Sequence, residues 1–110
     1  MDRRTETGLL LEFYGALLTE KQRDVLEKHL NEDLSLAEIA EQQGVSRQAV
    51  RDSIKRGEEQ LREYEGALRL MARDMELLKL LDELIKDEKD RAKKQKLFEL
   101  RERIEGNDGV

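Results

Sequence analysis

The chain has 110 residues, which suits one domain of ordinary size. It contains no Cys and a single His, so disulfides, thiol chemistry, Cys-ligated zinc and most His-based catalytic pairs are excluded. Charged residues make up 43% of the chain and the formal net charge is −5, which argues against indiscriminate binding to nucleic acid. The absence of Pro favours helix throughout, so we predict an all-α fold.

Two helices are predicted at the start of the chain. Apolar residues at helical spacing predict a first helix over about residues 5–18, with an inward face that includes Leu17 and Leu18. Thr19 with Gln22 three residues later is a capping box, and it opens a second helix that ends near residue 31. On this helix we expect His29 to be a partly buried core residue rather than a ligand.

A helix-turn-helix is predicted over about residues 36–56. Ser35 with Glu38 is a second capping box, opening a short third helix through residue 42. Gly44 suits the left-handed backbone of a tight turn, and Ser46 is an N-cap for the fourth helix.

The packing of this unit also follows from its spacing. Ile39 and Val50 are placed to pack against each other across the turn, Ala40 is small where the helices cross, and Val45 fills the turn. These separate requirements are met in the order that a helix-turn-helix needs, with the second helix presented to a major groove.

The fourth helix has no sequence signal for a stop. Apolar residues alternate at steps of four and three, which predicts one helix from about residue 46 past residue 70 with coiled-coil character. The seam consists of Val50, Ile54, Gly57, Leu61, Tyr64, Leu68, Met71, Met75 and Leu78. Between the seam positions we expect a solvated face rather than a metal cluster, formed by Glu58, Glu59, Glu63 and Glu65.

The C-terminal part is predicted to be a helical extension. Nine of the eleven residues in 86–96 are charged, which predicts a hinge or solvated helix, and Leu97, Leu100 and Ile104 predict a final amphipathic helix. The predicted organisation is a helix-turn-helix domain over 1–70, a helical extension over 71–105 and a disordered tail over 106–110. The fold class is therefore a three- or four-helix core followed by a long C-terminal helix with heptad character.

Positive charge is concentrated at the start of the fourth helix. Residues 46–56 hold four cations and one acid, a local charge of +3 on an acidic chain. Arginine reads guanine, glutamine reads adenine, and Lys, Arg and a helix N-terminus hold phosphate. With Val50, Ile54 and Ala49 predicted inward, the candidate nucleic-acid-binding residues are Ser46, Arg47, Gln48, Arg51, Lys55 and Arg56.

Protein docking is the alternative function of such a unit. Gln43 stands where these motifs usually bury an apolar residue, and Glu38 and Glu41 put negative charge on the helix that normally crosses the DNA backbone. An enzyme is not expected, because the sequence has no phosphate-binding Gly-rich loop, nucleophile–base pair or metal-ligand spacing. No cofactor and no metal are predicted.

Self-association is expected from the uncovered apolar seam. The first helix can cover only part of Leu61, Tyr64 and Leu68, and a symmetric homodimer would hide the rest while presenting two recognition helices to paired half-sites. The alternative is a monomer in which the terminal helix folds back over the seam.

Three runs resemble the bacterial YlxM family. They are residues 13–22, 35–41 and 45–56, and the similarity continues at Leu61, Tyr64, Glu65 and Leu68, so that it covers about residues 9–80. The helix-turn-helix is also similar to region 4 of sigma-70-type factors, which reads promoter DNA.

The resemblance implies a small helical DNA-binding protein linked to the signal recognition particle pathway as an accessory or regulator. It also implies other partners for the same basic face, namely the RNA or protein of that particle. The polar N-terminus and short apolar runs predict a cytoplasmic protein without a membrane segment.

Overall fold

The computed structural model describes residues 1–106 and 110, and within them it contains helices and no strand. The all-α prediction is confirmed. The helices are α1 (Arg3–Tyr14), α2 (Glu20–Leu30), α3 (Leu36–Gln43), α4 (Arg47–Leu68), α5 (Leu70–Asp87) and α6 (Arg91–Gly106), with a short 3-10 turn at Gly15–Leu17. Of the predicted disordered tail, residues 107–109 lie outside the described part of the chain, while Gly106 is the last residue of α6.

The first helix is capped by Asp2 and ends earlier than predicted. The Asp2 carboxylate accepts a hydrogen bond from the Thr5 amide at 2.7 Å. The α-helix stops at Tyr14, because the chain tightens into the 3-10 turn at Gly15. This change of winding rotates Leu17 toward solvent while Leu18 stays buried, so the prediction of an α-helix with an inward Leu17 is wrong in its last turn.

Both ends of α2 are satisfied by side chains. The predicted capping box is present: the Thr19 hydroxyl accepts from the Gln22 amide at 3.2 Å, and the Gln22 side chain accepts from the Thr19 amide at 3.4 Å. At the other end, the Arg4 guanidinium donates to the His29 and Leu30 carbonyls at 2.9 and 3.2 Å. Arg4 thereby ties α1 to the carbonyl groups that the end of α2 leaves without a helical partner. The side chain of His29 is half-buried, as predicted.

One hydrophobic core joins the first four helices. Helices α1, α2 and α3 all pack against α4. The most deeply buried apolar side chains are Leu10, Tyr14, Val25, Leu26, Ile39, Val50 and Leu61. Met71, at the start of α5, belongs to the same core. We propose that the domain boundary lies near residue 70 and that residues 71–105 form the extension.

The predicted single long helix is interrupted at one residue. Arg69 has the left-handed backbone angles φ 55° and ψ 29°, and it separates α4 from α5. A non-glycine residue in this region costs about 1–2 kcal/mol. The prediction of an unbroken helix past residue 70 is therefore wrong.

Glu65 and Tyr14 hold the chain in this interrupted form. The Glu65 carboxylate accepts from the Met71 and Ala72 amides, each at 3.0 Å. The Tyr14 hydroxyl donates to the same carboxylate at 2.5 Å and accepts from the Leu70 amide at 3.0 Å. Three amides at the start of α5 are thus satisfied by side chains, and a carboxylate is favoured at a helix N-terminus. Glu65 is half-buried, so its assignment to a solvated face is wrong.

Helices α5 and α6 form an antiparallel hairpin. The Asp90 carboxylate starts α6 by accepting from the Ala92 amide at 2.9 Å, and Arg101 donates to Asp82 at 2.7 Å across the two helices. Residues 86–96, predicted to be a hinge or a solvated helix, are helical except at residues 88–90, and the predicted final helix is present.

The apolar seam is largely covered within the chain. Leu61 and Met71 are buried in the core, and Ile104 of α6 lines a cavity together with Met75 and Leu78. The terminal helix therefore folds back as in the monomeric alternative, and the seam is not a dimer interface along its whole length.

Candidate nucleic-acid interface

The turn between α3 and α4 requires glycine at residue 44. Gly44 has φ 65° and ψ 36°, the left-handed conformation that a side chain disfavours. Its amide donates to the Ala40 and Glu41 carbonyls, and the Val45 amide donates to the Ala40 carbonyl at 3.1 Å. These bonds end α3 sharply and redirect the chain into α4.

The packing of α3 against α4 agrees with the sequence prediction. Ile39 and Val50 are 0% and 1% exposed in the shared core, and Ala40 is also buried. Val45 is half-buried against the same core. Because these side chains fix one face of α4 inward, the opposite face of its first turns points to solvent.

Serine side chains begin both helices of the unit. The Ser46 hydroxyl accepts from the Ala49 amide at 3.0 Å at the start of α4. At the start of α3, the Ser35 hydroxyl accepts from the Glu38 amide at 3.1 Å, and the Glu38 carboxylate accepts from the Ser35 amide at 3.2 Å. Both predicted caps are confirmed. Glu38 has a structural role at its own helix terminus.

The cations at the start of α4 are exposed and have no acidic partner among the residues that the structure describes. Arg47, Arg51, Lys55 and Arg56 are all exposed, and within the described residues none has a carboxylate oxygen within 4.0 Å. Among the other cations of the described chain, those of residues 79–96 are also unpaired, while seven form such pairs, namely Arg3, Arg4, Arg23, Lys28, Arg62, Arg73 and Arg101. The start of α4 therefore presents positive charge that the rest of the fold leaves uncompensated.

Gln48 is engaged by an acid on the same helix. Its side-chain amide donates to the Asp52 carboxylate at 2.9 Å, one helical turn away. The amide nitrogen that would contact adenine is thus held by Asp52 in this conformation. Because the amide has a second proton and an acceptor oxygen, this bond restricts the orientation of Gln48 but does not prevent a base contact.

Ala49 departs from its predicted position. It is exposed rather than inward, and it lines a surface cavity of about 370 Å³ between the starts of α2 and α4.

The same cavity brings a further cation to the start of α4. Lys21 and Arg56 both line it, so Lys21 lies beside the α4 cations. No local sequence pattern marks Lys21, because only the packing of α2 against α4 brings it near Arg56. Gln43, at the cavity edge, is half-buried and donates to Asp24 at 3.1 Å, which accounts for a polar residue at this position.

The short α3, the left-handed turn at Gly44 and the capped, solvent-facing start of α4 define a helix-turn-helix protein. In keeping with that class, residues 1–101 match the family described as "Putative helix-turn-helix protein, YlxM / p13 like", UPF0122. The chain belongs to this family, and the resemblance to YlxM is confirmed.

Individual relatives support the same assignment. A UPF0122 protein of Symbiobacterium thermophilum is 52% identical over 77 residues, covering 70% of this chain and 72% of that protein. A UPF0122 protein of Clostridium botulinum is 43% identical over 91 residues, covering 83% and 84% of the two chains. One from Clostridium perfringens is 46% identical over 85 residues, covering 77% and 76%.

Features of other kinds of site are absent from the described residues. These residues contain no group of three or more His, Cys, Asp or Glu side chains placed to hold a metal ion. None of their helices is both long enough and apolar enough to cross a bilayer.

Proposed function

We propose that the protein binds DNA through the first turns of α4 and acts as a non-enzymatic regulator or accessory factor. The observation that carries this proposal is a group of exposed cations on a chain with a net charge of −5, none of them ion-paired within the described residues: Arg47, Arg51, Lys55 and Arg56. Phosphate is the abundant polyanion that such a surface fits, and the helix-turn-helix presents the same helix to a major groove.

The spacing of the cations suits a path along a phosphate backbone. Arg47, Arg51 and Lys55 follow each other at steps of four, so they share one face and extend over roughly 12 Å of helix. In the proposed complex the Ser46 hydroxyl, which already accepts from Ala49, donates its proton to a phosphate oxygen. In the same complex Gln48 supplies base recognition through its amide group, whose orientation Asp52 restricts.

The particular biological setting rests on the family resemblance. We propose that the protein acts in the cytoplasm, in the signal recognition particle pathway, and that its α4 surface is related in use to region 4 of sigma-70-type factors. RNA or protein of that particle is the alternative partner for the same cations. The Gln48–Asp52 bond favours phosphate contacts over base reading, and A-form RNA is bound largely through phosphates and loops.

A homodimer is part of the proposal. Two copies would present two recognition helices, which matches DNA with paired half-sites. Most of the apolar seam is buried within the chain, although Leu68 and Met75 are 50% and 40% exposed, so we propose that the dimer uses another surface.

Fluorescence anisotropy at several salt concentrations tests how α4 binds. Random-sequence duplex DNA, a duplex enriched by selection and an RNA hairpin of equal length are the probes. If Arg51 contacts phosphate, Arg51→Ala weakens binding to every duplex and lowers the salt slope by about one unit. If Gln48 reads a base, Gln48→Ala costs about 1–3 kcal/mol on the selected duplex alone. Tighter binding to the RNA hairpin than to either duplex would favour the alternative partner.

A further inference from the structure

One side of the α5–α6 hairpin exposes a continuous set of leucines. Leu77, Leu80 and Leu84 follow each other at steps of three and four along α5, and their side chains are 40%, 51% and 57% exposed. On α6, Leu100 is 47% exposed. Scattered single leucines on a surface are ordinary, but four on one hairpin need an explanation if they share a face.

Contacts between the two helices show that they do share one. Leu77 lines a small cavity together with Arg103 and Ile104, so the Arg103 side of α6 lies beside the Leu77 side of α5. Leu100 precedes Arg103 by one turn and lies in the same row of α6. The Asp82–Arg101 bond sets Leu100 level with the stretch between Leu80 and Leu84. We name Leu77, Leu80, Leu84 and Leu100 the leucine face.

Charged residues of opposite sign line the two edges of this face. On the outer side of the α5 leucines, the helical spacing places Glu76, Glu83 and Asp87, which form an acidic edge. On the outer side of Leu100 it places Lys96 and Arg103 with Glu99 between them, and these three residues form an edge of net positive charge, the basic edge. All six side chains are exposed, and in the described part of the chain none forms an ion pair.

We propose that the leucine face binds a second copy of this chain. A two-fold axis parallel to the helices would lay α5 of each copy on α6 of the other. The acidic edge of each copy would then meet the basic edge of its partner on both sides of the interface. The alternative axis, across the helices, would oppose like edges and is disfavoured by repulsion. The pairing makes a four-helix bundle with an apolar centre and a charged rim.

The size of the face is adequate for a moderate dimer. α5 has 18 residues. A helix of that length extends over ~27 Å, and two adjacent helices are ~20 Å wide. Burying both copies of such a face removes on the order of 1,000 Å² from solvent, which is at the low end for a specific interface. We therefore expect an equilibrium between monomer and dimer in the micromolar range.

This inference names the surface for the dimer in the proposed function, and its test is independent of nucleic acid. Sedimentation of the full chain from about 1 to 100 µM would show a shift from 12.9 kDa toward twice that mass. The variant Lys96→Glu/Arg103→Glu makes both edges acidic, and Glu76→Lys/Glu83→Lys makes both edges basic. Each variant alone should raise the dimer dissociation constant by at least about tenfold. An equimolar mixture of the two should associate again as a heterodimer.

A matched control reverses the charge of two exposed lysines on the opposite side of the hairpin. Lys79→Glu/Lys86→Glu should leave the dissociation constant unchanged, and circular dichroism should show all variants equally helical. Wild-type protein that remains 12.9 kDa at 100 µM would overturn the proposal. Reversed-edge variants that still dimerise, or a mixture that does not associate, would overturn it as well. Wild-type protein that forms the dimer but does not bind DNA would count against the proposed function alone.

Discussion

At the scale of single residues, Gly57 shows how closely two helices can approach. It is buried in α4, and a Cβ added there would lie 2.7 Å from Cδ1 of Leu26, which is itself fully buried. Glycine in a helix interior costs about 1 kcal/mol relative to alanine, so the sequence alone suggests that replacing it would stabilise the fold. The structure indicates the opposite.

We expect Gly57→Ala to lower the free energy of unfolding by about 1–3 kcal/mol, because the new methyl group overpacks the contact between α2 and α4. Gly66→Ala is the matched control, since nothing lies within 4 Å of a Cβ at that exposed position of α4. It should raise the free energy of unfolding by up to about 1 kcal/mol. Urea denaturation measures both, and equal stabilisation by the two variants would contradict the close contact.

Tyr14 should make stability depend on alkaline pH. Burial raises the pKa of the Tyr14 phenol above its ordinary value, and its hydrogen bond to Glu65 raises this pKa further. The folded state therefore holds the phenol proton more tightly than the unfolded state does. The resulting stabilisation is fully present below the unfolded pKa of about 10 and is lost as pH rises through the folded pKa.

The variant Tyr14→Phe isolates this effect. At neutral pH it should be less stable than wild type by about 1–3 kcal/mol, because the Glu65 carboxylate and the Leu70 amide lose a partner. The difference between the two proteins should shrink above pH ~10. Denaturation at several pH values measures it, and a difference that stays constant to high pH would be inconsistent with the raised pKa.

At the scale of helices, Glu65 decides where α4 ends and α5 begins. Glu65→Ala removes the acceptor for the Met71 and Ala72 amides and should lower the free energy of unfolding by about 1–3 kcal/mol. Glu63→Ala, at an exposed position of the same helix, should change it by less than about 0.5 kcal/mol. Equal effects of the two substitutions in thermal and urea unfolding would show that Glu65 does not hold the joint.

The helices differ in how far the sequence could predict them. The helix-turn-helix was predictable because its signals are local: Ser35 and Ser46 are N-caps, Gly44 allows the turn, and Ile39 and Val50 are spaced to pack against each other across it. The break at Arg69 could not be predicted, because neither Gly nor Pro stands at that position. It depends on Tyr14, which lies far away along the chain and reaches the joint only in the folded protein.

The proposed site was likewise predictable only in part from the sequence. The exposure of Arg47, Arg51 and Lys55 could be predicted from the spacing of Val50 and Ile54, which the core holds inward. The Gln48–Asp52 bond and the approach of Lys21 could not, because they depend on side-chain conformation and on the packing of α2.

At the scale of the whole molecule, charge is distributed unevenly over an elongated shape of 58 × 27 × 23 Å. The net charge is −5, yet residues 46–56 carry +3 on one exposed surface. An acidic protein repels nucleic acid over most of its surface. Residues 91–96 are also cationic, but only the α4 cations lie on a helix-turn-helix, so we propose that binding comes from that region. The central claim is therefore that the start of α4 accounts for nucleic-acid affinity.

The most direct test is the dissociation constant of the triple variant Arg47→Ala/Arg51→Ala/Lys55→Ala on duplex DNA at fixed salt. Loss of three phosphate contacts should weaken binding by at least about a hundredfold, with the free energy of unfolding nearly unchanged. The control Lys79→Ala/Lys86→Ala/Lys89→Ala removes three exposed cations elsewhere and should change affinity by less than about threefold. Wild-type affinity in the α4 variant, for DNA and for RNA, would contradict the account and favour protein docking.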